Sequence, residues 1–236
     1  MELRWIALAG MAGAAALSAT QATAAPRHSV AAKDWTRTVS ATPAGGFRMG
    51  NPAAKVKLVE YGSLSCPHCA LFAAEGTEGV RALVKSGKLS FEFRNFVRNR
   101  SDAAASLLAG CGGAATFFPV VDAMYESQEQ WTGAIIAFER EQKGEIDSLP
   151  LKERVARLAE AGGLPQLAAK AGVPAAKAKQ CLADEAAMAG FEKATAAGVK
   201  LGVTGTPSFF INGSKATAFT WADLEPDLRR AIAAGG

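Results

Sequence analysis

The chain has 236 residues, 49% of them hydrophobic, and a net charge of +4. That is enough for one domain with an insertion or two small domains, with a core that needs no covalent staples. The basic residues are dispersed, with no polybasic run and no aromatic interleaving of the kind that stacks bases, which argues against nucleic-acid binding.

The N-terminus reads as a secretory signal. Arg4 supplies positive charge, Trp5 to Leu17 an apolar stretch, and Ala22-Thr23-Ala24 an A-x-A-like cleavage site. The stretch is short for a membrane span, so cleavage near Ala24 or Ala25 is expected. No Cys stands near the site to take a lipid, and no later stretch is long and apolar enough to cross a membrane. The mature protein is expected to be exported and not membrane-spanning. Residues 25–50 carry Pro26, Pro43, Gly45, Gly46 and Gly50 and read as an extended arm, which Trp35 would pin to the body. The arm lacks the sustained apolar repeat of an oligomerisation segment.

Lys55 to Tyr61 reads as the first strand, with Val56, Leu58 and Glu60 on one face. Two readings of Glu60 are open. If the apolar face continues, its carboxylate is hard to ionise and suits a proton relay; if the strand ends there, it is solvated. Cys66-Pro67-His68-Cys69 follows at a strand-to-helix junction. Unpaired N–H groups and the helix dipole favour a thiolate at Cys66, and Cys69 lies one turn later, in reach of a disulfide. Pro67 suits the first helical position. His68, when protonated, would add a cation beside the thiolate, or else be a solvated terminal side chain. The helix runs towards Lys85. Lys88 to Val97 alternates as a second, half-buried strand.

From Ser101 the period changes to helical, over Ala103–Leu108, Thr116–Tyr125, Ala134–Glu141, Leu151–Ala161, Leu164–Ala171 and Ala175–Ala197, with no regular repeat that would make a solenoid. Strand character returns at Val203. Asn212-Gly213 signals a hairpin, Lys215 to Phe219 is the return strand, and a last helix starts between Asp223 and Pro226.

In an oxidising compartment Cys pairs are normally disulfides. If Cys66 pairs with Cys69, then Cys111 and Cys181 remain, either joined to each other or packed as two buried thiols. Cys66, His68 and Cys69 are too few for a closed zinc site, and there is no second C-x-x-C. No metal or cofactor is expected beyond the redox-active pair itself.

Three motifs carry a resemblance over Lys55 to Ile232: Cys66-Pro67-His68-Cys69 after a hydrophobic strand, Gly205-Thr206-Pro207-Ser208-Phe209, and Met124-Tyr125-Glu126-Ser127-Gln128 followed by Trp131. Together they resemble the DsbA-type thiol–disulfide oxidoreductases of the thioredoxin superfamily. The resemblance implies an α/β thioredoxin-like fold, a central mixed sheet flanked by helices, with an inserted all-helical domain. The expected division is a signal peptide over 1–24, an arm over 25–50, a first thioredoxin-like part over 51–100, a helical insertion over 101–197 and a second thioredoxin-like part over 198–236.

The resemblance further implies a cis Pro207 in a substrate-facing loop with Gly205 and Thr206, and a buried relay acid at Glu60. It implies a periplasmic dithiol oxidase that donates the Cys66–Cys69 disulfide to unfolded or reduced secreted proteins. A membrane redox partner would restore the site. Thr206 also precedes the cis proline in isomerases and reductases of the superfamily, which keeps that direction open. A reading of another class is a non-catalytic, chaperone-like binding protein in which Cys66–Cys69 is only a staple.

Overall fold

A computed structural model of the chain describes residues 1–2 and 33–235. The signal at Arg4, Trp5 to Leu17 and Ala22 to Ala24, and also His28, lie outside the described residues.

A short 3-10 turn, Trp35–Arg37, is capped by Asp34, whose side chain accepts from the Thr36 N–H at 3.1 Å. Strands β1 (Val39–Ala41) and β2 (Phe47–Gly50) follow as an antiparallel hairpin. Part of the segment read as an arm is therefore sheet. Strands this short show no alternation to read, and what seats them is distant in sequence: the Phe47 ring stacks on Phe117 at 4.1 Å.

The sheet is completed by β3 (Val56–Gly62), β4 (Leu89–Asn95), β5 (Ser208–Ile211) and β6 (Ser214–Lys215), in the order β1-β2-β4-β3-β5-β6. Only β3 and β4 are parallel. A parallel pair needs a crossover, and helix α1 (Pro67–Lys85) supplies it. β3 lies between β4 and β5. Leu58 and Glu60 on one of its faces are opposite Phe91 and Phe93 of β4 and Ile211 and Phe209 of β5. α1 covers that face, with the Phe72 ring 4.5 Å from Phe209.

The helical block is α2 (Arg100–Cys111), α3 (Phe117–Glu126), α4 (Gln128–Glu141), α5 (Lys143–Ser148), α6 (Leu151–Ala161), α7 (Leu164–Lys170), α8 (Ala175–Leu182) and α9 (Glu185–Lys200). The long helix expected over Ala175–Ala197 is two. Asp184 caps the second of them, accepting from the Ala187 N–H at 2.9 Å. The run Ala104 to Ala109, apolar but for Ser106, leaves α2 buried almost all round. Buried side chains of the block, such as Leu108, Phe117 and Leu158, join one core with Leu58, Leu89 and Phe93 of the sheet. Trp131 is buried, and its indole N–H donates to the Met124 carbonyl at 2.8 Å.

Asn212 (φ 50°) and Gly213 (φ 86°) both take left-handed backbone, the requirement of a two-residue hairpin turn. The return strand is shorter than expected, and α10 (Trp221–Gly235) begins earlier. Its start is set by Thr220, whose hydroxyl accepts from the Asp223 N–H at 3.3 Å. Among the described residues no helix is long and apolar enough to cross a membrane.

Candidate active site

β3 ends at Gly62, and the chain enters α1 five positions later at Pro67. Cys66 is the N-cap, with extended backbone (φ −87°, ψ 119°), and Pro67 occupies the first turn. The Cys66 carbonyl accepts from the N–H groups of Cys69 and Ala70, both at 3.1 Å. Cys66 and Cys69 are free thiols, exposed by only 1% and 0%. The two sulfurs are not equivalent. The Cys69 thiol donates to Cys66 and holds the Cys66 thiol down to about 4, with help from Thr206 and from the N–H groups of Cys69 and His68, against burial, which pushes it up. Burial first, then the bond with Cys66 and the charge of Glu60, drive Cys69 far above the ordinary thiol range.

The Thr206–Pro207 peptide bond is cis. The register Glu60↔Phe209 and Tyr61↔Ser208 carries this loop to the end of β3. The Thr206 carbonyl accepts from Cys66 Sγ at 3.3 Å. Its hydroxyl oxygen is buried without a partner, and so is free to donate once the sulfur is a thiolate. Ser208 Oγ ties the loop from within, donating to the Gly205 carbonyl at 2.8 Å. The His68 side chain is exposed and lines a groove with Leu71, Phe72, Gly205, Thr206 and Phe219. Leu71 and Phe219 are large exposed apolar residues of that groove.

Glu60 is 3% exposed, and its Oε1 has no hydrogen-bond partner. Burial, and secondarily the Cys66 charge, raise its carboxyl to about 8. The Phe93 ring lies over Gly62 beside it, since a Cβ on Gly62 would meet that ring at 2.4 Å and Glu60 Oε1 at 2.9 Å. A cavity of about 40 Å³ borders Glu60, Thr77, Arg81, Asp122 and Tyr125. A thiolate-forming cysteine, a buried thiol and a neutral carboxyl group in one place can open and close a disulfide with local proton transfer.

Cys111 and Cys181 are joined by a disulfide, Cα to Cα 5.7 Å, which ties the C-terminal end of α2 to α8. It is a separate feature of the helical block. Among the described residues no group of His, Cys, Asp and Glu could hold a metal ion.

Of three further residues at the site, Asp102 was not singled out from the sequence, and Tyr125 and Gln128 were named there without a role. Asp102, in the first turn of α2, is fully buried and accepts from the Leu64 N–H at 2.8 Å. Burial raises its carboxyl to about 6, against the hydrogen bonds from Ser63 and the backbone of Arg98, Leu64 and Ser65. Tyr125 donates to the Ser63 carbonyl at 3.3 Å, and Gln128 Nε2 to the carbonyls of Leu64 at 2.7 Å and Cys66 at 3.0 Å. The only sequence signal was the Met124-to-Gln128 motif, which names no contact.

A thioredoxin family model matches residues 42–229. The crystal structure of a protein-disulfide isomerase from Novosphingobium aromaticivorans is 31% identical and superposes with a TM-score of 0.74, covering 80% of this chain and 97% of that one. Wolbachia pipientis alpha-DsbA1, at 21% identity, covers 80% of this chain and 91% of its own with a TM-score of 0.64, a likeness of fold. Two Rickettsia proteins, from R. bellii and R. prowazekii, are provisionally named protein-disulfide oxidoreductases and are 26% and 25% identical over 190 and 187 residues. The match takes in 78% of this chain but spans only 63% and 60% of those curated relatives.

Proposed function

The chain belongs to the thioredoxin family, and from that premise we propose that it is a DsbA-type protein-disulfide oxidoreductase working through Cys66 and Cys69. The observation that carries the reading is the asymmetry of the two thiols. Cys66, held down to about 4, is a good leaving group; Cys69, pushed far up, is a poor one.

In the oxidised protein a substrate thiolate attacks Cys66 Sγ. A bond forms between those sulfurs, the Cys66–Cys69 bond breaks, and the electron pair leaves on Cys69. A thiolate so basic takes a proton at once. Glu60, neutral below about 8, can supply it, and the neighbouring cavity of about 40 Å³ is roomy enough for a water that would return one. A second substrate thiolate then attacks the substrate sulfur, and Cys66 departs as the stabilised thiolate. The substrate is oxidised by two electrons and the enzyme is left reduced. Pro207 offers no N–H at the groove. The exposed side chains of Leu71 and Phe219 suit unfolded chains that show apolar residues. His68, on the rim, contributes its backbone N–H to the thiolate and its side chain to the groove.

We read the protein as an oxidase of exported, reduced proteins in the periplasm, restored by a membrane redox partner. Isomerase or reductase action is the second reading, favoured by Thr206 before the cis proline and by the description of the Novosphingobium relative. Replacing Cys66 by Ser should abolish disulfide transfer to a reduced, unfolded test protein while the fold is kept. Retained transfer overturns the reading, whereas a chaperone-like binder would transfer no disulfide in the wild type and would hold unfolded chains undiminished in Cys66→Ser. The direction is tested by the reduction potential of the pair: a potential as low as that of a cytoplasmic reductant removes the oxidase.

A further inference from the structure

Within the loop from Ser63 to Cys66 the Cys66 N–H donates to the Ser63 carbonyl at 3.1 Å, and the Ser63 and Ser65 hydroxyls bond each other at 3.3 Å. Several of its other polar groups are met from the helical block. The Leu64 N–H goes to Asp102, the Ser63 carbonyl to Tyr125, and Ser65 Oγ accepts from Asn99 Nδ2 at 3.1 Å. Gln128 has the central place. It is 7% exposed, its Nε2 carries two hydrogens, and that nitrogen reaches both the Leu64 and the Cys66 carbonyls.

The Cys66 carbonyl also accepts from the Cys69 and Ala70 N–H groups, so the plane of that peptide orients the first turn of α1. The N–H groups of His68 and Cys69, which stabilise the Cys66 thiolate, are carried by the same turn. An amide held rigidly from outside α1 therefore fixes how those N–H groups face the sulfur. A helix N-terminus stabilises charge only within its first turn, so a small rotation there is felt in full.

We propose that Gln128 is a positioning residue for the Cys66 nucleophile. It acts from the helical block by fixing the Leu64 and Cys66 carbonyls and so aligning Cys66 on the N-terminus of α1. The inference rests on Cys66 as the exchanging thiol. It assigns the insertion a part in setting the reactivity of the thioredoxin-like half, beyond enlarging the core.

The test uses the reduced full-length protein, Gln128→Met and Gln128→Asn. Cys66 is titrated by thiolate absorbance, and the potential of the pair is measured against glutathione. Met keeps the bulk and removes both donors; Asn keeps the amide and draws it back. Both variants should raise the Cys66 pKa by about one unit, roughly a tenfold loss of thiolate stabilisation, the worth of one hydrogen bond to a charged group. The pair should become less oxidising by about 30 mV, the same tenfold factor. A merely structural Gln128 would lower the unfolding midpoint and leave pKa and potential at wild-type values, and that result overturns the inference alone. If Gln128→Met does not fold, Gln128→Asn decides. A wild-type Cys66 that titrates as an ordinary thiol overturns both this inference and the proposed function.

Discussion

Burial alone pushes a carboxyl and a thiol in the same direction, up. Glu60 and Cys66 are both buried, yet Glu60 rises to about 8 and Cys66 falls to about 4. The difference is donors: Glu60 Oε1 has none, while Cys66 has the Cys69 thiol, Thr206 and two backbone N–H groups. Each shift has its own pH signature. Cys66 is depressed from an ordinary 9.0, so its contribution to the stability of the reduced protein is present in full above about 9. It is lost as pH falls through about 4, with a slope of up to about 1.4 kcal/mol per pH unit between them. Glu60 is raised from 4.5, so its contribution is present in full below about 4.5 and lost as pH rises through about 8. The two slopes oppose in the wild type and separate in variants. Relative to wild type, reduced Glu60→Gln should gain stability as pH rises from about 4.5 to about 8. Cys66→Ser should lose stability over the range in which the thiolate forms. Denaturant unfolding at a series of pH values checks both, and parallel profiles for wild type and Glu60→Gln would remove the buried, neutral carboxyl.

At the scale of elements, β3 shows two demands meeting in one strand. Its alternating face puts Val56, Leu58, Glu60 and Gly62 towards α1, and at Gly62 that face has no room for a side chain. Alanine is the better strand residue by backbone entropy, by about 0.5–1 kcal/mol. The Phe93 ring is 1% exposed, and overpacking a tight core costs about 1–3 kcal/mol. The clash wins, so Gly62→Ala should lower stability by roughly 0.5–2 kcal/mol, the difference of those two terms. Chemical denaturation reads this directly, and an unchanged or raised midpoint would mean that the ring moves freely. The same scale explains the split between α8 and α9. A helical period ran unbroken through Asp184 in the sequence, but an Asp side chain that bonds the third N–H ahead starts a helix as readily as it sits in one.

For the whole molecule, the helical block and the sheet share one core, through contacts such as Phe47 on Phe117 and Phe93 on Tyr125. The Cys111–Cys181 disulfide closes a loop with a sequence separation of 70 inside the block, which in the chain-entropy model stabilises by about 4 kcal/mol. Replacing both cysteines by Ser should lower the unfolding free energy by up to about 4 kcal/mol. Because the bridge ties the C-terminal end of α2 while Asp102 at the other end holds Leu64, the Cys66 pKa should stay depressed. A shifted Cys66 titration in that double variant would show the block transmitting strain to the site.

The sequence by itself determined the chemistry and, from Lys55 onward, the broad order of strands and helical block. A C-x-x-C at a strand-to-helix junction, a Pro-containing loop before a strand, an acid on an apolar strand face and a long helical block are all local patterns of period and spacing. They can be read because a helix N-terminus or a strand face needs only neighbouring residues to exist. Tertiary structure alone decided what those patterns could not hold. It drew the hairpin of residues 39–50 into the sheet through the pairing of β2 with β4, about forty positions on. It buried Glu60 without a donor, and it brought Asp102, Tyr125 and Gln128 onto the loop that carries Cys66. Each of those contacts joins residues at least 38 positions apart. A hydrogen bond leaves no periodic mark in the sequence on either of its partners, so the nucleophile could be found in the chain while the residues that hold it could not.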